Sequence, residues 1–400
     1  MSRFQPDTLA LTALFALLIS VGPISTDMYL PVMPEIRAGL SATTAQTQAT
    51  LSGYLVGYAI AQVFYGPLSD RLGRRPVTMA SLILFSLGGF LCAIAPTIEV
   101  LIGARVLQAL GGAGSIVLAR AAVRDLYEGP RAGRELATMG TLMALVPALA
   151  PILGAALGLV FGWRSIFIFL AAFGPVLALL VFLKMPETLA APSATPFSLK
   201  AMLADFAHVW SVPAFRINTL FGALCFAGFM AFLSGGSFVL QTRFGWDGKA
   251  FAFGFALVVF GFLVGAGIAR RKVMAWGVDR TIRIGVMVAV PATLAMLVSV
   301  LAGWGGALGI VIPMAVYQVS LGLINPMSNA AAMLPFGTRA GSASSLYAVV
   351  QMSVAAVSGS VVGLLLDRTM LALPGTMTVC AVLMGLIVLA TRRRLEAPPG

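Results

Sequence analysis

The sequence predicts an all-α membrane protein whose twelve membrane-spanning helices form two six-helix halves. Hydrophobic residues make up 59% of the 400 residues and charged residues only 10%, which leaves too little polar surface for a water-soluble domain. Long apolar runs recur along the chain, and short charged segments separate them. About 20 apolar residues cross the hydrocarbon layer as one helix, so a chain of this length has room for about a dozen crossings.

The apolar runs fall into two sets of six. The uncharged stretch 284–338 is long enough for two crossings and has a turn signal at Gly303-Trp304-Gly305-Gly306. The predicted helices cover approximately 8–34, 42–67, 77–96, 100–122, 136–160, 165–184, 214–241, 250–270, 283–302, 305–334, 340–366 and 370–391. We therefore predict an N-terminal six-helix bundle over 1–184, a cytoplasmic linker over 185–212 and a C-terminal six-helix bundle over 213–400.

The basic residues predict the orientation. Most of the 26 lysines and arginines fall in loops on one side of the predicted helices, and short basic loops stay in the cytoplasm. Both termini are then cytoplasmic, and the net charge of +12 reflects topology rather than a nucleic-acid partner. Cys92, Cys225 and Cys380 lie inside apolar runs, so we expect neither a disulfide framework nor a metal site.

One charged segment, 66–76, lies between the second and third apolar runs. It carries Asp70, Arg71, Arg74 and Arg75, and its length predicts a tight cytoplasmic turn between two helices. A role in topology alone would explain the arginines. It would not require Asp70 or Gly73, and we therefore favour a conformational role.

This segment resembles the loop signature of the major facilitator superfamily, glycine-x-leucine-x-aspartate-arginine-x-glycine-arginine-arginine. Five further segments look like the Bcr/CflA branch of drug:proton antiporters, whose members export bicyclomycin, phenicols or related compounds. They are Asp27-Met28-Tyr29-Leu30-Pro31, Arg105-Val106-Leu107-Gln108, Arg124-Asp125-Leu126-Tyr127, Gly162-Trp163-Arg164-Ser165-Ile166-Phe167 and Pro186-Glu187-Thr188-Leu189. The resemblance implies the major facilitator fold and a latch that holds the halves in the outward-open state, formed by Gly66, Asp70, Arg71, Gly73, Arg74, Arg75, Arg124 and Asp125.

The same resemblance predicts a packing motif in helix 5. Antiporters of this superfamily carry a glycine series there that ends glycine-proline-x-x-glycine-glycine, where this chain has Ala150-Pro151-Ile152-Leu153-Gly154-Ala155. We assign helix-5 packing to Pro147, Pro151 and Gly154, because small residues still permit close helix approach. The departure weakens the signal for export.

A proton gradient is the predicted energy source, with no cofactor. The Gly248-Lys249 pair is followed by Ala250, so it does not form an ATP phosphate-binding loop. Asp27 is an acid within an apolar run, and an ionisable group in the membrane is costly and therefore suggests function. We predict that Asp27 binds the proton; the alternative is that it ends helix 1 at the outer interface and is solvated.

Arg105 is a basic residue inside a predicted helix, near its outer end. The resemblance implies that it belongs to the coupling machinery, so an interaction between Asp27 and Arg105 is our first mechanistic hypothesis. The alternative is that its long side chain reaches the membrane surface.

Uncharged polar side chains indicate the substrate. Tyr54, Tyr58 and Gln62 are spaced to share one helix face, which would line a cavity or pack between helices. The residues that we assign to a substrate cavity are Tyr54, Tyr58, Gln62, Gln108, Asn218, Gln318, Asn325, Asn329, Tyr347 and Gln351. A cavity poor in fixed charge suits small neutral or amphipathic drugs.

The predicted function is therefore proton-coupled drug efflux by alternating access. The alternative is an exporter or importer of a cellular metabolite on the same fold. A membrane enzyme is disfavoured, because the single histidine, His208, lies in the linker rather than in a membrane helix. We expect a monomer in the bacterial cytoplasmic (inner) membrane whose partners are a small-molecule substrate, protons and the lipid bilayer.

Overall fold

The computed structural model describes residues 8–127, 131, 135, 138, 139, 143, 146–189, 198–336 and 340–395. These residues are helical almost throughout, and the chain divides into two compact units, Met1–Ser198 and Leu199–Gly400. The all-α fold class is confirmed.

The described helices of the first unit are α1 (Leu9–Asp27), α2 (Met33–Gly39), α3 (Thr44–Leu72), α4 (Arg74–Ala93), α5 (Ile98–Leu126), α6 (Val146–Phe161) and α7 (Arg164–Lys184). One 3₁₀ turn, Leu30–Val32, joins α1 to α2, so the first apolar span runs over Leu9–Gly39. The first predicted crossing therefore does extend past Pro31. Its α-helix is interrupted by the 3₁₀ turn that contains Pro31, because proline has no backbone N–H to donate. Most of residues 136–145, the predicted start of helix 5, lie outside the described residues.

The described helices of the second unit are α8 (Leu199–Ser211), α9 (Pro213–Ser237), α10 (Gly248–Trp276), α11 (Val278–Ala302), α12 (Leu308–Met333), α13 (Ala340–Leu365) and α14 (Ala372–Leu395). A π-helical segment, Phe238–Arg243, extends α9. The predicted turn at Gly303-Trp304-Gly305-Gly306 does separate α11 from α12. The predicted linker contains α8, on which His208 is exposed, and its residues 190–197 lie outside the described part.

Among the described residues, ten segments are long and apolar enough to cross a membrane. Two further predicted crossings fall below that standard. Helix α3 has 29 residues, but its first turns are rich in threonine and glutamine, and the described part of α6 has only 16 residues. The chain is a multi-pass membrane protein, and these helices are consistent with twelve crossings.

Glycines let the helices of each unit approach closely. In the first unit, a Cβ atom added to Gly111 of α5 would lie 2.1 Å from the backbone nitrogen of Phe85 on α4. In the second, a Cβ at Gly265 of α10 would lie 2.1 Å from the carbonyl oxygen of Val319 on α12. Backbone-to-backbone packing through small residues is how helices associate where lipid removes the hydrophobic driving force.

A single glycine separates two helices at a corresponding place in each unit. Gly73 lies between α3 and α4 with φ +96°, and Gly277 lies between α10 and α11 with φ +76°. Both values are in the left-handed region, which glycine adopts without a steric penalty. The second turn lacks the spacing of the 66–76 signature, yet it uses the same backbone device.

Candidate functional site

Among the described residues of the first unit, Arg105 is the largest fully buried side chain, with 0% of its surface exposed. Its Nη1 donates hydrogen bonds to Ser25 Oγ at 2.9 Å and to Gln108 Oε1 at 2.7 Å. Its guanidinium carbon lies 4.3 Å from the ring centre of Tyr54 and 5.0 Å from that of Tyr29. The alternative that Arg105 reaches the membrane surface is therefore wrong, since aromatic rings of α3 and of the α1–α2 junction enclose it.

Part of the hydrogen-bonding capacity of this cluster is unused. Nε and Nη2 of Arg105 and Nε2 of Gln108 are buried and have no hydrogen-bond partner. All three are donors, and an unpaired buried donor costs about 1–3 kcal/mol. The cluster can therefore accept a further hydrogen-bond acceptor without losing its present bonds.

Asp27 is the last residue of α1 and is only 5% exposed, so the alternative that it is solvated is wrong. Thr26 Oγ1 donates a 3.0 Å hydrogen bond to Asp27 Oδ1. No ion pair joins Asp27 to Arg105 or to another basic side chain in the part of the chain that the structure describes. The hypothesis that Asp27 and Arg105 interact stays a prediction, and Ser25, two residues before Asp27, does bond to Arg105.

Helix α6 packs directly on the chain beside Asp27. A Cβ atom at Gly154 would lie 2.0 Å from the carbonyl oxygen of Met28, the residue after Asp27. Pro151 is inside the same helix, and Pro147 is half-buried near its described start. The absence of a side chain at Gly154 allows this backbone contact with the end of α1.

Tyr54 and Tyr58 lie on one face of α3, as predicted. Their rings stack with centres 5.8 Å apart and pack against Ala109 and Ala113 of α5. Both rings are buried, as the packing alternative predicted, while Gln62 is half-buried. Their assignment to a substrate cavity stays a prediction.

The charged segment forms a bonded network at the junction of α3 and α4. Arg74 is paired with Asp70 at 2.5 Å and with Asp125, at the end of α5, at 2.8 Å. Arg74 Nη1 also donates to Ser69 Oγ at 2.5 Å, and Thr188 Oγ1 donates to Asp125 Oδ2 at 3.1 Å. Asp125 and the loop, both assigned to the latch from the sequence, are thus in contact within the first unit; their role as a latch stays a prediction.

Glu187 completes this network, although it is not among the site residues predicted from the sequence. Its carboxylate accepts the backbone N–H groups of Arg74 at 2.9 Å and Arg75 at 3.1 Å, which open α4. The first N–H groups of a helix have no partner inside the helix and attract negative charge. Glu187 Oε2 lies 2.8 Å from where a Cβ of Gly73 would be, so a side chain at residue 73 would displace this carboxylate from its present position.

The remaining predicted latch residues are placed differently. Arg75 Nη2 donates to the carbonyl oxygen of Phe182, and its guanidinium lies 5.1 Å from the centre of that ring. Arg71 and Arg124 are exposed, and the network does not include them. Gly66 is half-buried and has open space where a side chain would be.

In the second unit, five of the predicted cavity residues lie on α12 and α13, and three of the five are bonded to one another. Gln351 Nε2 donates to Asn325 Oδ1 at 2.9 Å, and the hydroxyl of Tyr347 lies 3.1 Å from that of Ser328 and 3.3 Å from Asn325 Oδ1. Gln318 is buried, and its Oε1 has no hydrogen-bond partner. The network thus joins α12 to α13 through uncharged groups.

Two other residues that were assigned to the cavity, Asn329 and Asn218, lie outside this network. Asn329 is exposed, and the Nδ2 atom of Asn218 donates to the carbonyl oxygen of Ala214 on its own helix. Within the described ranges, no group of three or more histidine, cysteine, aspartate or glutamate side chains is arranged to hold a metal ion.

Comparison with curated proteins finds relatives in bacteria. The chain is 32% identical to "Uncharacterized MFS-type transporter YdgK" of Bacillus subtilis over 90% of this chain and 89% of that protein. It is 30% identical to "Chloramphenicol resistance protein" of Pseudomonas aeruginosa over 85% of this chain and 80% of that protein.

Solved structures and a family model agree with the helical architecture. The crystal structure of a bacterial homolog of the human lysosomal transporter Spinster superposes with a TM-score of 0.74 at 17% identity, covering 99% of this chain and 100% of that one. The model of the Major Facilitator Superfamily matches residues 15–360. The expectation of a transporter rather than an enzyme is confirmed, because the chain belongs to the Major Facilitator Superfamily.

Proposed function

We propose that this protein exports small neutral or amphipathic antibiotics, such as phenicols or bicyclomycin, in exchange for protons, by alternating access. The observation that carries the proposal is Asp27, a buried carboxyl group in an apolar span that no basic side chain of the described residues pairs with. Burial of an unpaired ionisable group in the membrane is costly, and such groups serve proton relays. The relation to the chloramphenicol resistance protein supports a drug as the exported solute.

The proton site couples to Arg105 in this proposal. Protonated Asp27 keeps its hydrogen bond from Thr26. When the proton leaves, a hydrogen bond from a cationic donor stabilises the carboxylate more than one from a neutral donor does. Arg105 has Nε and Nη2 free to donate such a bond. Ser25, two residues before Asp27, bonds to Arg105, so the guanidinium already lies beside this part of α1.

The proposal also includes an energy source, a location and a set of uncharged groups that would bind the drug. The energy source is the proton gradient, without a cofactor. The protein acts as a monomer in the bacterial cytoplasmic membrane, with both termini in the cytoplasm. Within the second unit, the uncharged network of Asn325, Tyr347 and Gln351 offers hydrogen bonds to an uncharged drug. Within the first unit, the stacked tyrosines of α3 offer ring surface.

The test uses proteoliposomes that contain a pH-sensitive dye and a clamped membrane potential, with no imposed pH gradient. Chloramphenicol, florfenicol or bicyclomycin is added outside, one at a time. Drug that enters by antiport expels protons, so the lumen becomes alkaline; entry by symport would make it acidic. Acidification, or silence with every drug from folded and inserted protein, contradicts the proposal and favours a metabolite carrier.

A further inference from the structure

Helix α8 (Leu199–Ser211) presents one face to its own unit. Val209 is fully buried and belongs to a cluster with Phe215, Phe336 and Tyr347. The helix packs against α9 and α13. This face fixes the position of α8 on the second unit.

A second face of α8 is apolar and uncovered. Leu199 is 51% exposed, Leu203 is 54% exposed and Trp210 is 37% exposed, while Phe206 is half-buried. Their spacing of four, three and four residues places them in one stripe along the helix. The neighbouring face of the helix is exposed and carries small or polar residues, which are Lys200, Ala204, Ala207, His208 and Ser211.

The position of the helix indicates what covers the stripe. Only Val212 separates α8 from α9, which begins the apolar span Pro213–Arg243, so α8 lies where that span enters the membrane. The ring centre of Trp210 lies 6.2 Å from that of Phe215, in the first turn of α9. Tryptophan concentrates at the boundary between hydrocarbon and water.

Charge complementarity points to the same occupant. Lys200 at the start of α8 and Arg216 in the first turn of α9 are both exposed. Basic side chains next to a membrane span attract the anionic headgroups of lipids. A helix with one apolar face, one polar face and basic residues at the edge binds in the plane of the interface. We propose that α8 is an interfacial helix whose stripe of Leu199, Leu203, Phe206 and Trp210 inserts into the lipid surface, in the leaflet that the basic loops assign to the cytoplasm.

The proposal is tested by spin labels at two adjacent residues that are both exposed. Leu203→Cys places a label on the stripe, and Ala204→Cys places the matched control on the polar face. The buried cysteines are first replaced by alanine (Cys92→Ala, Cys225→Ala, Cys380→Ala). The full-length protein is reconstituted in vesicles of phosphatidylethanolamine and phosphatidylglycerol, and collision rates with oxygen and with a water-soluble nickel chelate are measured.

We expect the ratio of oxygen to nickel collisions to be several-fold higher at 203 than at 204, because oxygen concentrates in hydrocarbon and the chelate stays in water. Equal access of the chelate to both labels would overturn the proposal, since the stripe would then face water. Low access of both reagents at 203, with dipolar broadening that disappears on dilution with unlabelled protein, would also overturn it, since a second copy would cover the stripe.

Discussion

The Asp125→Ala substitution measures how strongly the charged network holds the first unit together. Asp125 accepts from Arg74 Nε at 2.8 Å and Nη2 at 3.5 Å, and from Thr188 Oγ1 at 3.1 Å. Removing one member of a buried ion pair costs about 3–5 kcal/mol. The Asp125 side chain is 22% exposed and Arg74 keeps its pair with Asp70, so we discount the loss to about 2 kcal/mol.

The assay is thermal unfolding in detergent, followed by circular dichroism at one fixed heating rate. A loss of about 2 kcal/mol lowers the Tm of a unit of this size by roughly 4–8 °C. Arg124→Ala is the matched control, because Arg124 is the preceding residue, is exposed and lies outside the network. If Asp125→Ala lowers the Tm no further than Arg124→Ala does, the network does not stabilise the fold and the reasoning is refuted.

Three further substitutions test other contacts. Gly154→Ala puts a methyl group 2.0 Å from a carbonyl oxygen at the end of α1, and it should lower the free energy of unfolding by about 1–3 kcal/mol. Gly103→Ala is the control, because a methyl group there has open space and should not destabilise the protein. Equal unfolding temperatures of the two variants would contradict this prediction. Gly73→Ala and Gly277→Ala both force alanine to a positive φ, which should destabilise the fold by about 1–2 kcal/mol in each case. Gly73→Ala should lower the Tm more than Gly277→Ala does, because the new methyl group also meets Glu187. Equal losses of Tm would show that this contact is absent. Arg105→Lys should lower initial transport rates about tenfold or more, because lysine cannot reproduce charge-assisted bonds of about 1.5–3 kcal/mol each; rates near those of the unchanged protein would remove Arg105 from the coupling machinery.

The sequence predicted the position of the charged turn well because charge is costly inside the hydrocarbon and therefore marks the ends of apolar helices. Asp70 and Arg74 follow one apolar run, and Asp125 follows another. These charged side chains pair with one another where α3 and α5 end. Glu187 was not predicted as a site residue. It bonds to backbone groups 112 and 113 residues earlier in the chain, and no spacing pattern encodes such a contact.

Burial within the helices was the harder part. An apolar helix has little amphipathic pattern, so the sequence could not decide whether Arg105 faces the unit or the membrane surface. Only the packed rings of Tyr29 and Tyr54 settle that it is buried. The helix inside the predicted linker did leave a signal, the spacing of Leu199, Leu203, Phe206 and Trp210, which the flanking proline, serine and charge obscured.

The most direct test of proton coupling compares two kinds of transport in the same proteoliposomes carrying Asp27→Asn. Asparagine keeps an acceptor for Thr26 but cannot release a proton, so drug accumulation driven by a pH gradient should be lost while exchange of labelled for unlabelled chloramphenicol continues. Glu35→Gln is the matched control, because this exposed acid of the same span accepts the Trp163 N–H, which glutamine can also do. Undiminished gradient-driven accumulation by Asp27→Asn would contradict the assignment of Asp27 as the proton carrier.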